Sequence, residues 1–181
     1  MEKIEFLRFM QRYQANIAIG GSTLRNQGGE GVVEAARSFL ATLDLSKLKT
    51  IQPAAYPDIL NEWTCALKEQ LPDGAKNWGT ARKAINVFMV QVFLNKYLAE
   101  EYDMEKLKDV LETPLDSDAA EGLQTSNPEA RLPKWNSIKW LKEEDCKKYQ
   151  ECASQLAQQK GLSRVCLDII LWRPQEGEEA Q

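Results

Sequence analysis

Residues 77–88 read NWGTARKAINVF, and how this stretch is read decides the fold. A glycine turn delivers two adjacent cations, Arg82 and Lys83, to the mouth of the most apolar segment in the chain. Ala84, Ile85, Val87, Phe88, Met89, Val90, Val92, Phe93 and Leu94 follow, and helical spacing continues to about Tyr102. A helix so apolar around its circumference belongs at the centre of a bundle, covered on more than one side. The remaining segments are then expected to pack around it.

They carry the matching period. Upstream, Tyr56-Pro57 opens a helix in which Ile59, Leu60, Trp63, Leu67 and Leu71 recur at threes and fours, and Pro72-Asp73-Gly74 ends it. Residues 30–43 place Val32, Val33, Ala36, Phe39, Leu40 and Leu43 on one face. Residues 2–15 carry Phe6, Phe9, Met10 and Tyr13 at helical spacing. Between these two, IAIGGSTLRNQGGEG is a glycine-punctuated loop. Downstream, MEKLKDVLE reads as a short amphipathic helix, and TPLDSDAAEGL as a turn followed by a helix. GLQTSNPEARLPKWNS reads as a polar surface loop, and residues 142–159 as a helix rich in Lys, Glu and Gln. LSRVCLDIILWR fits a strand or a helix, and its helical surroundings favour the helix. The expected class is all-α, one domain over residues 1–173, with an acidic disordered tail at 174–181.

Composition narrows the chemistry. Charged residues make up 28% and hydrophobic residues 43%, as in a soluble globule that can bury a core. The net charge of −4 does not advertise nucleic-acid binding, although a local basic face can act on an acidic protein. No apolar run reaches the length of a membrane span, and MEKIEFLRFM lacks the basic-then-apolar order of a signal peptide. A cytoplasmic protein without membrane contact is expected. Cys65, Cys146, Cys152 and Cys166 form no C-x-x-C pair, so neither a zinc nor an iron–sulfur site is expected. With no histidine, Ser–His and Cys–His catalysis and His-ligated metals drop out. No metal or cofactor is expected. Any chemistry falls to Lys, Asp, Glu, Tyr, Cys or Ser.

Arg82 and Lys83 admit two readings. They are solvated surface cations, or they are placed for work. The positive end of a helix macrodipole is an unfavourable place for a lysine. Burial against Trp78 and Phe88 would disfavour its charge further, and an uncharged lysine is a nucleophile. Free backbone N–H groups at a glycine turn before a helix form an anion site. Gly79, Thr80 and Ala81 could therefore hold a phosphate, with Arg82 beside it.

GTARKA resembles the second half of the helix-hairpin-helix element of DNA glycosylases, typically L-P-G-V-G-x-K-T-A. Gly79 matches the first hairpin glycine, Lys83 the catalytic lysine of bifunctional members, and Ala81 replaces the second glycine. The hairpin region lies near 72–84. Thr113-Pro114-Leu115-Asp116 is similar to the V-P-V-D segment that carries the family's catalytic aspartate. Asp118 stands where the family usually has histidine. The long interval from Lys83 to Asp116 resembles the archaeal 8-oxoguanine glycosylase branch of this OGG-fold family. In that branch a late Asp-x-x-x-Trp serves the base pocket. Asp168 and Trp172 match it, and Gln27 in TLRNQGG matches an early glutamine that meets the nucleotide. The resemblance covers roughly residues 16–173 in scattered short matches.

The resemblance implies a DNA glycosylase with β-lyase activity that excises an oxidised purine through a lysine Schiff base. Lys83 would attack the sugar and Asp116 would stabilise the cationic transition state. Gln27, Asp168 and Trp172 would hold the flipped base, while Gly79, Ala81 and Arg82 would hold phosphate. The partner would be damaged DNA, or a nucleobase or nucleotide, handled by a monomer. Two alternatives stay open: a non-catalytic helix-hairpin-helix module that binds nucleic acid or protein, and an OGG-fold protein repurposed for nucleobase handling in bacterial defence. Bland roles stand beside these. Asp116 also reads as a helix N-cap, Asp168 as the partner of Arg164 or Arg173, Trp172 as core and Gln27 as a loop residue. Arg25, Lys76, Arg131, Lys134 and Lys139 are either a phosphate-facing surface or scattered charge. Trp135 and Trp140 flank Lys139 in what reads as a core-anchored turn or a stacking platform.

Overall fold

The computed structural model describes residues 1–172, and all regular structure within them is helical. The helices are α1 (Lys3–Ala18), α2 (Val32–Thr42), α3 (Lys47–Thr50), α4 (Tyr56–Gln70), α5 (Trp78–Leu94), α6 (Lys96–Glu101), α7 (Ser117–Ser126), α8 (Glu143–Gln159) and α9 (Leu167–Trp172), linked by turns and short 3-10 segments. The tail expected at 174–181 lies outside the described residues. No helix among the described residues is long and apolar enough to cross a membrane.

α5 is central, as its composition requires. Ala81, Ala84, Ile85, Phe88, Met89 and Val92 are all essentially inaccessible, and the helix packs on α1, α2 and α4. Asn77 caps it, its side-chain oxygen accepting from the Thr80 N–H at 2.9 Å. The helix expected to run to Tyr102 stops at Leu94. Asn95 leaves the helical region and turns its side chain onto the Leu98 N–H at 3.1 Å, opening α6. An asparagine offers the backbone this local alternative, and here it outcompetes the period. MEKLKDVLE forms a 3-10 turn, Met104–Leu107, entered through Asp103 at φ 52°. The α1 face is also rotated from expectation. Phe9 and Tyr13 are exposed, and the buried face carries Leu7, Gln11, Gln14, Ala15 and Ala18. Gln11 explains the rotation. Its amide donates to Leu40 O at 2.9 Å and Leu43 O at 2.8 Å, a second partner for carbonyls at the end of α2 that also accept from the Leu43 and Leu45 N–H groups.

Two apolar clusters build the interior. One gathers α1 to α6, and the other gathers α7, α8, α9 and the 138–141 turn. The chain crosses from the first to the second through residues 110–116. That crossing has no ladder of its own, yet Thr113 is fully buried. Its backbone groups must therefore find side-chain partners. Gln150 on α8 supplies both: its Nε2 donates to Thr113 O at 2.8 Å, and its Oε1 accepts from Thr113 N at 3.1 Å. Arg164 donates to Leu111 O at 2.9 Å and Val110 O at 2.7 Å. The clamp fixes where the next acidic residue emerges, and that residue is Asp116.

Candidate functional site

Lys83 sits in the second turn of α5, its side chain only 12% exposed. Its Nζ lies 3.4 Å from Asp116 Oδ2, an ion pair at the outer edge of hydrogen-bonding distance. Asp116 is delivered by the clamped crossing and stands at the start of α7, where its other oxygen, Oδ1, accepts from Ala119 N at 3.0 Å. The helix-cap reading of this aspartate is realised on Oδ1, while Oδ2 faces Lys83. Ser117, the first residue of α7, accepts from the Trp135 indole N–H at 3.3 Å. The Asp116 side chain is 32% exposed, so the pair meets solvent from its side.

Asp168, in the first turn of α9, lies within electrostatic reach of the pair. Burial pushes its carboxyl up to about 6; the Asp116 carboxylate adds to the rise and Lys83 opposes it. A carboxyl near that value is a donor in its acid form and an acceptor when ionised. It is not paired with Arg164, whose guanidinium is spent on the 110–111 carbonyls. Arg173 lies outside the described residues. Trp172 closes α9 one turn beyond Asp168, and its side chain lies outside the described part of the molecule.

Gln27 reaches the same helix end by another route. Its Oε1 accepts from the Thr80 hydroxyl at 3.0 Å, and Thr80 stands one turn before Lys83 on α5. The Gln27 loop is seated tightly against the α4–α5 turn. A Cβ on Gly28 would lie 2.7 Å from Ala75 Cβ, closer than packed atoms allow. Lys83 with Asp116, and Gln27 with Thr80, thus meet at the first two turns of α5, with Asp168 within electrostatic reach of the first pair.

The three residues expected at a phosphate face inward. Gly79 and Ala81 are buried. Gly79 lacks a side chain because the 138–141 turn occupies that space: a Cβ there would collide with the Ile138 carbonyl oxygen. The glycine serves a contact within the chain. Arg82 is buried and fully committed. Its Nε and Nη2 each donate to Glu112 at 2.8 Å, its Nη1 donates to Asn61 Oδ1 at 2.8 Å, and its guanidinium lies 5.0 Å from the Trp78 ring centre. Asn86 also donates to Glu112, at 2.8 Å. This fork-on-fork pairing anchors the helix start. It lines a cleft of about 420 Å³ between α4, α8 and the crossing, which Lys83, Asp116 and Asp168 do not line.

Sequence reasoning missed Glu112 and Gln150. Glu112 has no periodic signal, since it lies in an extended segment. Gln150 did leave one: it interrupts the apolar face Cys146, Tyr149, Cys152, Ala153 of α8, and a polar group on a buried face requires a buried partner.

No family model matches the chain, and neither the curated proteins nor the solved structures yield a significant match.

Proposed function

We propose that the chain is a DNA glycosylase with associated lyase activity, built on a helix-hairpin-helix domain, and that it removes an oxidised purine of the 8-oxoguanine type. The observation that carries this reading is the approach of Lys83 Nζ to Asp116 Oδ2, 3.4 Å apart, at a partly open edge with Asp168 beside them. The α4–turn–α5 hairpin and the capped start of α7 supply the frame in which the family resemblance expects that pair.

Lys83 supplies the nucleophile. Once its ammonium proton passes to Asp116, its free amine bonds to C1′ as the bond from C1′ to the base breaks, and the base leaves with that electron pair and takes up that proton. Asp116 stabilises the cationic sugar across a short distance, where a charge pair in a site shielded from water is worth kilocalories. Ring opening gives a Schiff base, which permits β-elimination of the 3′ phosphate. Asp168, its carboxyl pushed up to about 6, offers a donor or an acceptor to the purine edge, whereas Gln27 is buried with its Oε1 on the Thr80 hydroxyl and its Nε2 on the Arg25 carbonyl, so it braces the start of α5.

A duplex bearing one 8-oxoguanine, incubated with the protein and borohydride, tests the reading, because reduction of the Schiff base leaves a covalent adduct. The wild type is expected to trap DNA and Lys83→Gln to lose the adduct at least a hundredfold. A wild type that traps neither lesion-bearing nor abasic DNA contradicts it.

The inward-facing Arg82 and the packed Gly79 leave the hairpin without the phosphate contact expected of a glycosylase, which favours one second reading, a non-catalytic helical module that meets nucleic acid through another surface. In that case the borohydride test gives no adduct while DNA binding persists.

A further inference from the structure

We infer that the 131–142 segment is a nucleic-acid-binding strap in which Trp140 stacks on a base and Arg131, Lys134, Lys139 and Lys142 hold the phosphates on either side. This deepens the proposed function and rests on it for the identity of the strand, DNA. The two tryptophans of the segment have opposite fates. Trp135 is anchored: its ring packs edge-on against Tyr149, centroids 5.6 Å apart, and its indole N–H reaches Ser117. Trp140 is 74% exposed, the most exposed large ring in the described chain. A tryptophan held on the surface by a folded turn has lost the solvent shelter that such a ring normally finds.

Its surroundings say what covers it. From Arg131 to Lys142 the sequence RLPKWNSIKWLK holds four cations and no acid, in a chain of net charge −4. All four are exposed. Among the described residues Arg131, Lys134 and Lys139 pair with no carboxylate, and Lys142 meets Glu144 only at 3.9 Å. An acidic peptide would match the charge but supplies no flat face for the ring. Phosphates alternating with bases match both features.

The strap is also tied to the reacting pair. The Ile138 carbonyl and Leu141 close over Gly79 at the start of α5, one turn before Lys83. Trp135 meets Ser117, the residue after Asp116. The strap therefore touches both elements that carry the Lys83–Asp116 pair and lies at its rim. A strand held there runs past the lysine. The phosphate contact that Arg82 does not offer is supplied by this turn.

The test uses the full chain and a fluorescein-labelled DNA duplex containing one abasic site, with anisotropy read over a range of salt concentrations. Trp140→Ala is expected to weaken binding by about tenfold or more, the usual loss of one stacked base. Trp140→Phe keeps a ring and is expected to recover most of it. Lys134→Gln/Lys139→Gln/Lys142→Gln is expected to lower both affinity and the dependence on salt. All these side chains are exposed, so folding is not at stake. Unchanged binding in Trp140→Ala and in the triple variant overturns the inference, even where the wild type still forms the borohydride adduct. Binding that depends on Trp140 with no adduct sustains the strap and removes the lyase reading. Absence of DNA binding by the wild type overturns both.

Discussion

Asp168 and Asp116 show how much one carboxylate can be asked to do. An unfolded aspartate ionises near 3.8 and Asp168 in the folded chain near 6. Between those values the folded protein keeps a proton that the unfolded chain releases, so stability falls as pH rises through the window and the loss is complete above it. Asparagine never ionises. Asp168→Asn is therefore expected to gain on the wild type as pH rises, by roughly 2 kcal/mol at neutral pH and by nothing near pH 4. Urea unfolding of both proteins at the two pH values checks this; a difference independent of pH contradicts it. Asp116 separates differently, since its two oxygens have different partners. Asp116→Asn keeps an oxygen for the Ala119 N–H and loses the charge facing Lys83. Asp116→Ala loses both. The alanine variant is expected to cost about 1 kcal/mol in thermal unfolding and the asparagine variant much less, as for other helix caps. Both are expected to lose the lyase activity proposed for the Lys83–Asp116 pair. Equal stability losses would show that the cap does not operate.

At the scale of elements, the close seat of the 138–141 turn on α5 depends on Gly79. Gly79→Ala places a methyl against the Ile138 carbonyl, so either the turn or the helix start must shift. A cost of roughly 1–3 kcal/mol is expected, as for other overpacked sites, with loss of DNA binding through the strap. A fully stable, fully binding variant contradicts the contact. This scale also shows what the sequence discloses. The apolar period located α2, α4 and the body of α5, the Lys-, Glu- and Gln-rich run located α8, and TPLD together with DIILW singled out Asp116 and Asp168. The period failed where a side chain competes for the backbone: Asn95 ends α5 early, and Gln11 turns the inner face of α1 toward α2. It was also silent on Arg82. Two adjacent cations look alike in sequence, yet they lie about 100° apart on a helix. That rotation sends Arg82 to Glu112 in the interior and Lys83 to Asp116 at the edge. Only a knowledge of what faces each direction distinguishes them.

Across the whole molecule, the site exists because two apolar clusters meet. α5 belongs chiefly to the first, α7 and α9 to the second, and residues 110–116 join them. Arg82–Glu112 and the Gln150–Thr113 clamp fasten that junction beside the reacting pair. Glu112→Ala leaves a buried guanidinium without its carboxylate, and about 3–5 kcal/mol of stability is expected to go with it. The combined change Arg82→Met with Glu112→Leu removes the stranded charge and is expected to recover part of that loss in denaturant unfolding. Should the double variant be the less stable by the sum of the single losses, the pair is not acting as a unit. Of all the lysines in the chain, the one brought to Asp116 is the one proposed to react. Reduced protein–DNA adduct, digested and sequenced by mass spectrometry, tests it most directly. The account predicts that the sugar remnant is carried by Lys83 alone. A remnant on any other amine, or a wild-type protein that yields no adduct with lesion-bearing or abasic DNA, contradicts it.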